Sequence, residues 1–97
     1  MIRQISVFME NRAGRLNRLL NILSENGINI CALSIDDTGE YGIGRMIVEN
    51  HDKAMKVLKD NGFSACETEV IAVEFKDGCG KLYQITSLLA DNNINVE

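Results

Sequence analysis

Residues 3–30 read RQISVFMENRAGRLNRLLNILSENGINI, and residues 69–96 read EVIAVEFKDGCGKLYQITSLLADNNINV. Laid over one another, the two stretches agree at Ile5/Ile71, Val7/Val73, Gly14/Gly80, Leu16/Leu82, Leu23/Leu89, Asn26/Asn92, Ile28/Ile94 and Asn29/Asn95. Arg15/Lys81, Leu19/Ile85, Glu25/Asp91 and Ile30/Val96 are conservative pairs. Shared helix periodicity would align the apolar positions, but it does not supply a matched Gly-X-Leu or a matched Asn-X-X-Asn. The stretch is therefore read as an internal repeat. One full unit is expected over residues 1–68. A partial second, over 69–97, holds a strand, a helix and the start of another strand, and stops at the counterpart of Cys31. Over half of the second unit is missing. Its apolar surface calls for a cover, and self-association is the expected means.

Outward from the repeat, periodicity gives the elements. Ile5 and Val7 alternate with Gln4, Ser6 and Phe8, which predicts a strand over 3–9. Leu16, Leu19, Leu20 and Leu23 recur at helical spacing and predict a helix over 14–25, closed by Asn26-Gly27, where Gly readily takes the left-handed cap conformation. Residues 28–36 read as a strand with Cys31, Leu33 and Ile35 on one face and Ile28, Ile30 and Ala32 on the other. A turn over 37–42 leads to a third strand over 43–49. Asn50 or Asp52 caps a second helix with Ala54, Val57 and Leu58 inward, ending at Asn61-Gly62. A fourth strand follows over 65–69. The second copy then supplies a strand over 70–76 and a helix over 80–91, with Leu82, Ile85, Leu88 and Leu89 inward.

The order β-α-β-β-α-β predicts an α+β fold, the ferredoxin-like sandwich: an antiparallel four-stranded sheet with two helices on one face, plus the first β-α-β part of a second copy. The second strand is apolar on both sides, so both sheet faces are expected to be covered, one by helices and one by a partner.

Composition narrows the function. The chain has 97 residues, 45% hydrophobic and 25% charged, which is ordinary for one globular domain or one domain plus a fragment. Its net charge is −4, with Tyr 2, Phe 3 and no Trp, and phosphate neutralisation needs clustered Lys and Arg, so no nucleic acid is expected. A ferredoxin-like RNA binder would also need aromatics on its central strands, which Phe8 and Phe75 satisfy only loosely. No apolar run approaches the ~18–20 residues of a membrane span, and the N-terminus lacks the pattern of a signal peptide. The expectation is a cytoplasmic protein with no membrane partner. Cys31, Cys66 and Cys79 form no CxxC pair, so neither a disulfide framework nor a metal site is expected. With His51 as the single histidine, no nucleophile–base–orienter set can be assembled, and no catalytic residue is assigned. Asp36 and Asp37 sit in a turn and suggest neither catalysis nor a metal cage. With 0 Pro, every turn must be made by Gly, Asn or Asp.

The informative segment is Asn11-Arg12-Ala13-Gly14-Arg15-Leu16, which Asp77-Gly78-Cys79-Gly80-Lys81-Leu82 repeats. A strand, then Asp/Asn-x-x-Gly-x-Leu, an amphipathic helix and Gly-Ile-Asn-Ile resembles the ACT domain, a small amino-acid-binding regulatory module. The resemblance covers the whole chain and is nearest to small bacterial proteins built of two tandem ACT domains. The family often carries Pro before the Gly, whereas Ala13 and Cys79 stand there in this chain, which implies a less rigid loop.

The resemblance implies a ligand between this loop of one domain and the second strand of a neighbour. Mapped onto this sequence, that points to Asn11, Arg12, Ala13, Gly14, Arg15 and Leu16, with Asn29, Ile30 and Cys31. The matching set is Asp77, Gly78, Cys79, Gly80 and Leu82, with Asn95. It further implies a small-molecule amino acid as ligand, a homodimer or higher homo-oligomer, a regulated metabolic enzyme as partner and no cofactor.

Elementary chemistry agrees with a site at the loop. Bare N–H groups at a helix start favour a carboxylate, Gly lets a ligand approach the backbone, and Asn11 and Asn29 can each donate and accept. The same residues also admit plainer roles. Asn11 and Asp77 suit helix caps or turns, Gly14 and Gly80 suit turn geometry, and Arg12, Arg15 and Arg18 suit a solvated helix face. Cys79, beside Lys81 at a helix start, is either a stabilised thiolate or a plain small residue. Cys31 and Cys66 suit buried strand positions, and His51 an exposed cap neighbour. A module that only oligomerises, with no ligand, is the alternative function.

Overall fold

Alternation along the first strand decides how the sheet faces: Ile5 and Val7 are fully buried and Met9 nearly so, while Phe8 on the opposite side is 53% exposed. In the computed structural model, which describes residues 1–97, β1 spans Ile2–Glu10, α1 Arg15–Glu25, β2 Ile30–Asp37, β3 Tyr41–Val48, α2 His51–Asp60, β4 Ser64–Val70 and α3 Lys81–Asp91. The four strands form one antiparallel sheet in the order β2-β3-β1-β4. This is the expected ferredoxin-like βαββαβ arrangement. No helix is long and apolar enough to cross a membrane.

The core lies between the sheet and two helices. Ile5, Val7 and Met9 of β1 and Met46 and Val48 of β3 meet Leu19, Ile22 and Leu23 of α1 and Ala54 and Leu58 of α2. Ile28 and Phe63, one after each helix, complete it. Each large side chain buried there contributes about 1.5–3 kcal/mol.

All three helices stop by the same device. Asn26, Asn61 and Asn92 each donate their side-chain amide to the carbonyl of the residue four before, at 2.8 Å. The next residue is left-handed: Gly27 at φ 68°, Gly62 at 82° and Asn93 at 58°. An apolar residue then returns its N–H to the last turn: Ile28 to Leu23 O at 3.0 Å, Phe63 to Leu58 O at 2.9 Å and Ile94 to Leu89 O at 2.8 Å. These are Schellman closures, which satisfy carbonyls that a helix end otherwise leaves bare.

Four expectations need correction. First, a bulge between Ile30 and Ala32 shifts the phase of β2. Ile30, Leu33 and Ile35 therefore pair with the inward-facing Val48, Met46 and Gly44, and Cys31 does not share their face. Second, Cys31 and Cys66 are exposed rather than buried; Cys66 pairs with Ser6 on the face opposite the helices. Third, His51 is buried, at 8% exposure, with Nε2 2.7 Å from Glu67 Oε1. Arg3 joins this cluster, 2.9 Å from Asp52 and 3.4 Å from Glu67.

The fourth correction concerns the second copy. Its helix forms as α3, but 71–76 and 94–97 make no strand. In the first unit β1 is flanked by β3 and β4. Residues 71–76 have no such neighbours, and an extended segment without a ladder leaves its backbone groups to water. α3 packs against no other element, and its Leu82 and Leu88 are 62% and 65% exposed.

The sheet face away from the helices is mixed rather than apolar. Half-buried Ile43 and Ile47 sit among Gln4, Ser6 and an Arg45–Asp36 ion pair.

Candidate functional site

Where β1 ends, the chain ties itself to the hairpin between β2 and β3. Asn11 donates its backbone N–H to Glu40 O at 2.8 Å and its side-chain amide to Gly39 O at 2.7 Å and Asp37 Oδ1 at 3.2 Å. Asp37 Oδ1 also accepts from Gly39 N–H at 2.7 Å. Asn11 is thus no cap of α1. Its donors are spent inside the chain, and its Oδ1 receives no hydrogen bond from it.

Gly14 opens α1 at φ +87° with nothing within 4 Å of where a Cβ would stand, so the backbone angle, not space, asks for glycine. No side chain caps the helix. Arg15 N–H reaches Arg12 O at 3.3 Å and Arg18 N–H reaches Gly14 O at 2.9 Å, which leaves the amides of Leu16 and Asn17 with no acceptor. The second copy has the same form: Gly80 at φ +81°, no cap, Lys81 N–H on Gly78 O at 3.3 Å and Gln84 N–H on Gly80 O at 3.0 Å. By contrast, α2 carries a side-chain cap, Asn50 accepting from Lys53 N–H at 3.4 Å. The two repeated helices are the ones that open without a side-chain cap, and each presents bare donors together with the positive end of the helix dipole.

Beside the start of α1 lies a cleft of about 170 Å³. Asn11, Arg12, Arg15 and Leu16 line it, with Met9, Glu10, Ile35 and Gly42. Asn29 and Ile30 instead line a separate cleft of about 450 Å³ with Leu20, Ser24, Gly27 and Ile28. The two sites lie at opposite ends of α1, whose 11 residues span roughly 16 Å. One small ligand cannot touch both within one unit. Asn29 also donates to Glu49 Oε1 at 3.1 Å. Cys31 lines neither cleft, nor do Ala13 and Gly14, which shape the loop. Asp77, Gly78, Cys79, Gly80, Leu82 and Asn95 are all exposed and border neither cleft.

The three arginines of α1 and its loop prove unlike one another, so they do not form a uniform solvated face. Arg12 pairs with Glu10 at 3.3 Å. Arg18 stacks 5.0 Å over Phe63 and donates to Asn61 O at 3.1 Å, at the C-terminus of α2 where a cation is favoured. Arg15 stacks 5.1 Å over the same ring, and its buried Nε has no partner. The sequence reading missed Phe63 as the platform for both guanidinium groups, and Ile35 and Gly42 as cleft wall. Only Asn61-Gly62, which marks a helix stop, hinted that the next residue turns inward.

Sheet order, helix placement and the capless glycine loop together define a ferredoxin-like domain of the ACT class. The family model of the ACT domain pair matches residues 1–97, and the chain belongs to that family. ACT domains are regulatory domains. A crystal structure of a protein from Bacteroides thetaiotaomicron is 36% identical, with a TM-score of 0.91 over 94% of this chain; the chain spans 63% of that protein's length. The ligand-free regulatory subunit of aspartate kinase from Thermus thermophilus is 15% identical, with a TM-score of 0.72 over 98% of this chain and 72% of its own. The ACT domain of GTP pyrophosphokinase from Chlorobium tepidum is 15% identical, with a TM-score of 0.54 over 68% of this chain and 95% of its own. At 15% identity these last two show a shared fold. No curated protein matches the chain.

Proposed function

We propose that the chain is a non-catalytic sensor module that binds a small amino acid at a domain or subunit interface and so regulates a metabolic enzyme. The observation that carries this reading is the pair of unpaired amides, Leu16 and Asn17, at a capless helix start beside a cleft of about 170 Å³. A ligand carboxylate would accept from the two amides. Asn11 Oδ1 would accept from its ammonium.

The separation of Asn29 and Ile30 from this cleft supports an interface. A second strand able to close the ligand in comes from another unit, so ligand and assembly stabilise one another. A calorimetric titration across the twenty amino acids, with the solution mass measured with and without each, tests the reading. Heat with at least one amino acid and a mass of two chains or more are expected. No heat and no thermal shift with any of them would sink it.

One observation favours an oligomerisation module without ligand: the donors of Asn11 and Asn29 are already used within the chain. The double variant Asn11→Ala, Asn29→Ala separates the two. A lost binding signal supports the sensor, whereas an unchanged dimer with no binding to lose supports the scaffold.

A further inference from the structure

Two rings stand on the sheet face away from the helices. Phe8 of β1 is 53% exposed and Tyr41 of β3 is 48% exposed, with ring centroids 6.1 Å apart and planes tilted by 54°. β1 and β3 are the two central strands of the sheet. Phe8 pairs with Ile43 and Glu10 with Tyr41, so the rings lie on a diagonal of one face. The second ring is thus Tyr41 rather than Phe75. RNA-binding domains built on a four-stranded sheet stack bases on aromatics placed in this way.

A cleft of about 270 Å³ adjoins the rings, walled also by Glu10, Ser64 and Gly62. It has room for one ring system, since about 150 Å³ holds a molecule the size of benzene. Charge then decides among planar ligands. Glu10 is paired with Arg12, and further along the face Asp36 is paired with Arg45. Arg15, the remaining cation on the cleft wall, is stacked on Phe63. There is no cluster of cations for a phosphate chain, and the net charge of −4 tells against a polynucleotide. The wall offers hydrogen bonding instead. Arg12 reaches Glu10 through Oε2 at 3.3 Å, which leaves Oε1 open to a donor. The Ser64 hydroxyl, across from Phe8 on β4, can both donate and accept. A carboxylate oxygen and a hydroxyl beside two rings match a planar heterocycle with an amino group on its edge.

We propose that Phe8 and Tyr41 form a platform for one neutral nucleobase bearing an amino group, as the free base or its nucleoside, with Glu10 accepting from that amino group. The site meets the cleft at the start of α1 at Glu10, but its rings lie on the other face of the sheet. It stands whether or not an amino acid binds at α1.

The test is an NMR titration of the isotope-labelled full chain with adenosine, cytidine, uridine, L-tryptophan and a uridine octamer. Cytidine should move the amides of Phe8, Tyr41 and Ser64. It should bind at least fivefold more tightly than uridine, which carries an oxygen where cytidine carries the amino group. Tyr41→Ala should weaken cytidine at least fivefold through loss of a stacking ring, whereas Tyr41→Phe should stay within twofold. Glu10→Gln should erase the preference for cytidine over uridine and keep the shifts at the rings. Phe75→Ala, an exposed ring outside the platform, should change nothing. Circular dichroism of each variant confirms that it is folded. No shift at the two rings with any nucleoside would overturn the proposal. So would L-tryptophan binding as tightly as adenosine, or a cytidine preference that survives Glu10→Gln. An octamer that outbinds uridine by more than its number of bases allows would overturn the single-base assignment in favour of a strand.

Discussion

α1 and α3 are built from matching sequence and meet different fates. Both open on a left-handed glycine without a cap and close on the same asparagine device. Yet Leu19 and Leu23 of α1 are fully buried, while their counterparts Ile85 and Leu89 are only half-buried, on a helix that touches no other element. The start, length and stop of each helix are thus local properties. Its energetic weight comes from the sheet beneath it, which only the first copy has.

The largest effect should separate Leu23→Ala from Leu89→Ala. The first opens a core cavity and should cost about 2–5 kcal/mol in urea denaturation. The second removes no packed neighbour and should leave the midpoint nearly unchanged; equal losses would break the contrast. Next come Gly14→Ala and Gly80→Ala, each forcing a side chain into the left-handed region at about 1–2 kcal/mol. At Gly14 that should appear in global stability, and at Gly80 only as faster amide exchange within α3. Asn50→Ala should cost about 1 kcal/mol by uncapping α2. Neither repeated helix has a side-chain cap to lose, so this test sharpens the distinction between filled and open helix starts. Arg3→Gln should be the smallest effect, roughly 0.2–1 kcal/mol and fading with salt, because its ion pairs are exposed.

Features set by neighbouring residues were legible in the sequence. The apolar stripe of α1, the Asn-Gly stops and the alternation of β1 each follow from a few adjacent positions, and their order implied the sheet. The form of the glycine loop was legible too, since Gly14 and Gly80 recur at the same place and both open a helix in the left-handed conformation. What escaped depends on distant partners. The bulge at Cys31 is a matter of register against β3. The burial of His51 depends on Glu67 across the fold, and the engagement of Asn11 on Asp37 and Gly39 in another loop. Residues 71–76 form no strand although their character suits one, for Ile71, Val73 and Phe75 alternate as Ile5, Val7 and Met9 do; no strand pairs with them.

The repeated helix ending has a mechanical consequence. Because an asparagine and a left-handed residue set where each rod halts, its length is a fixed gauge between the glycine mouth and the next strand. Adding one residue ahead of Asn26 would turn everything downstream by about 100° about the rod axis and swing Ile28 off its seat. The spacing between Gly14 and Asn26 therefore acts as a ruler, and it should tolerate exchange of letters far better than a change in their number.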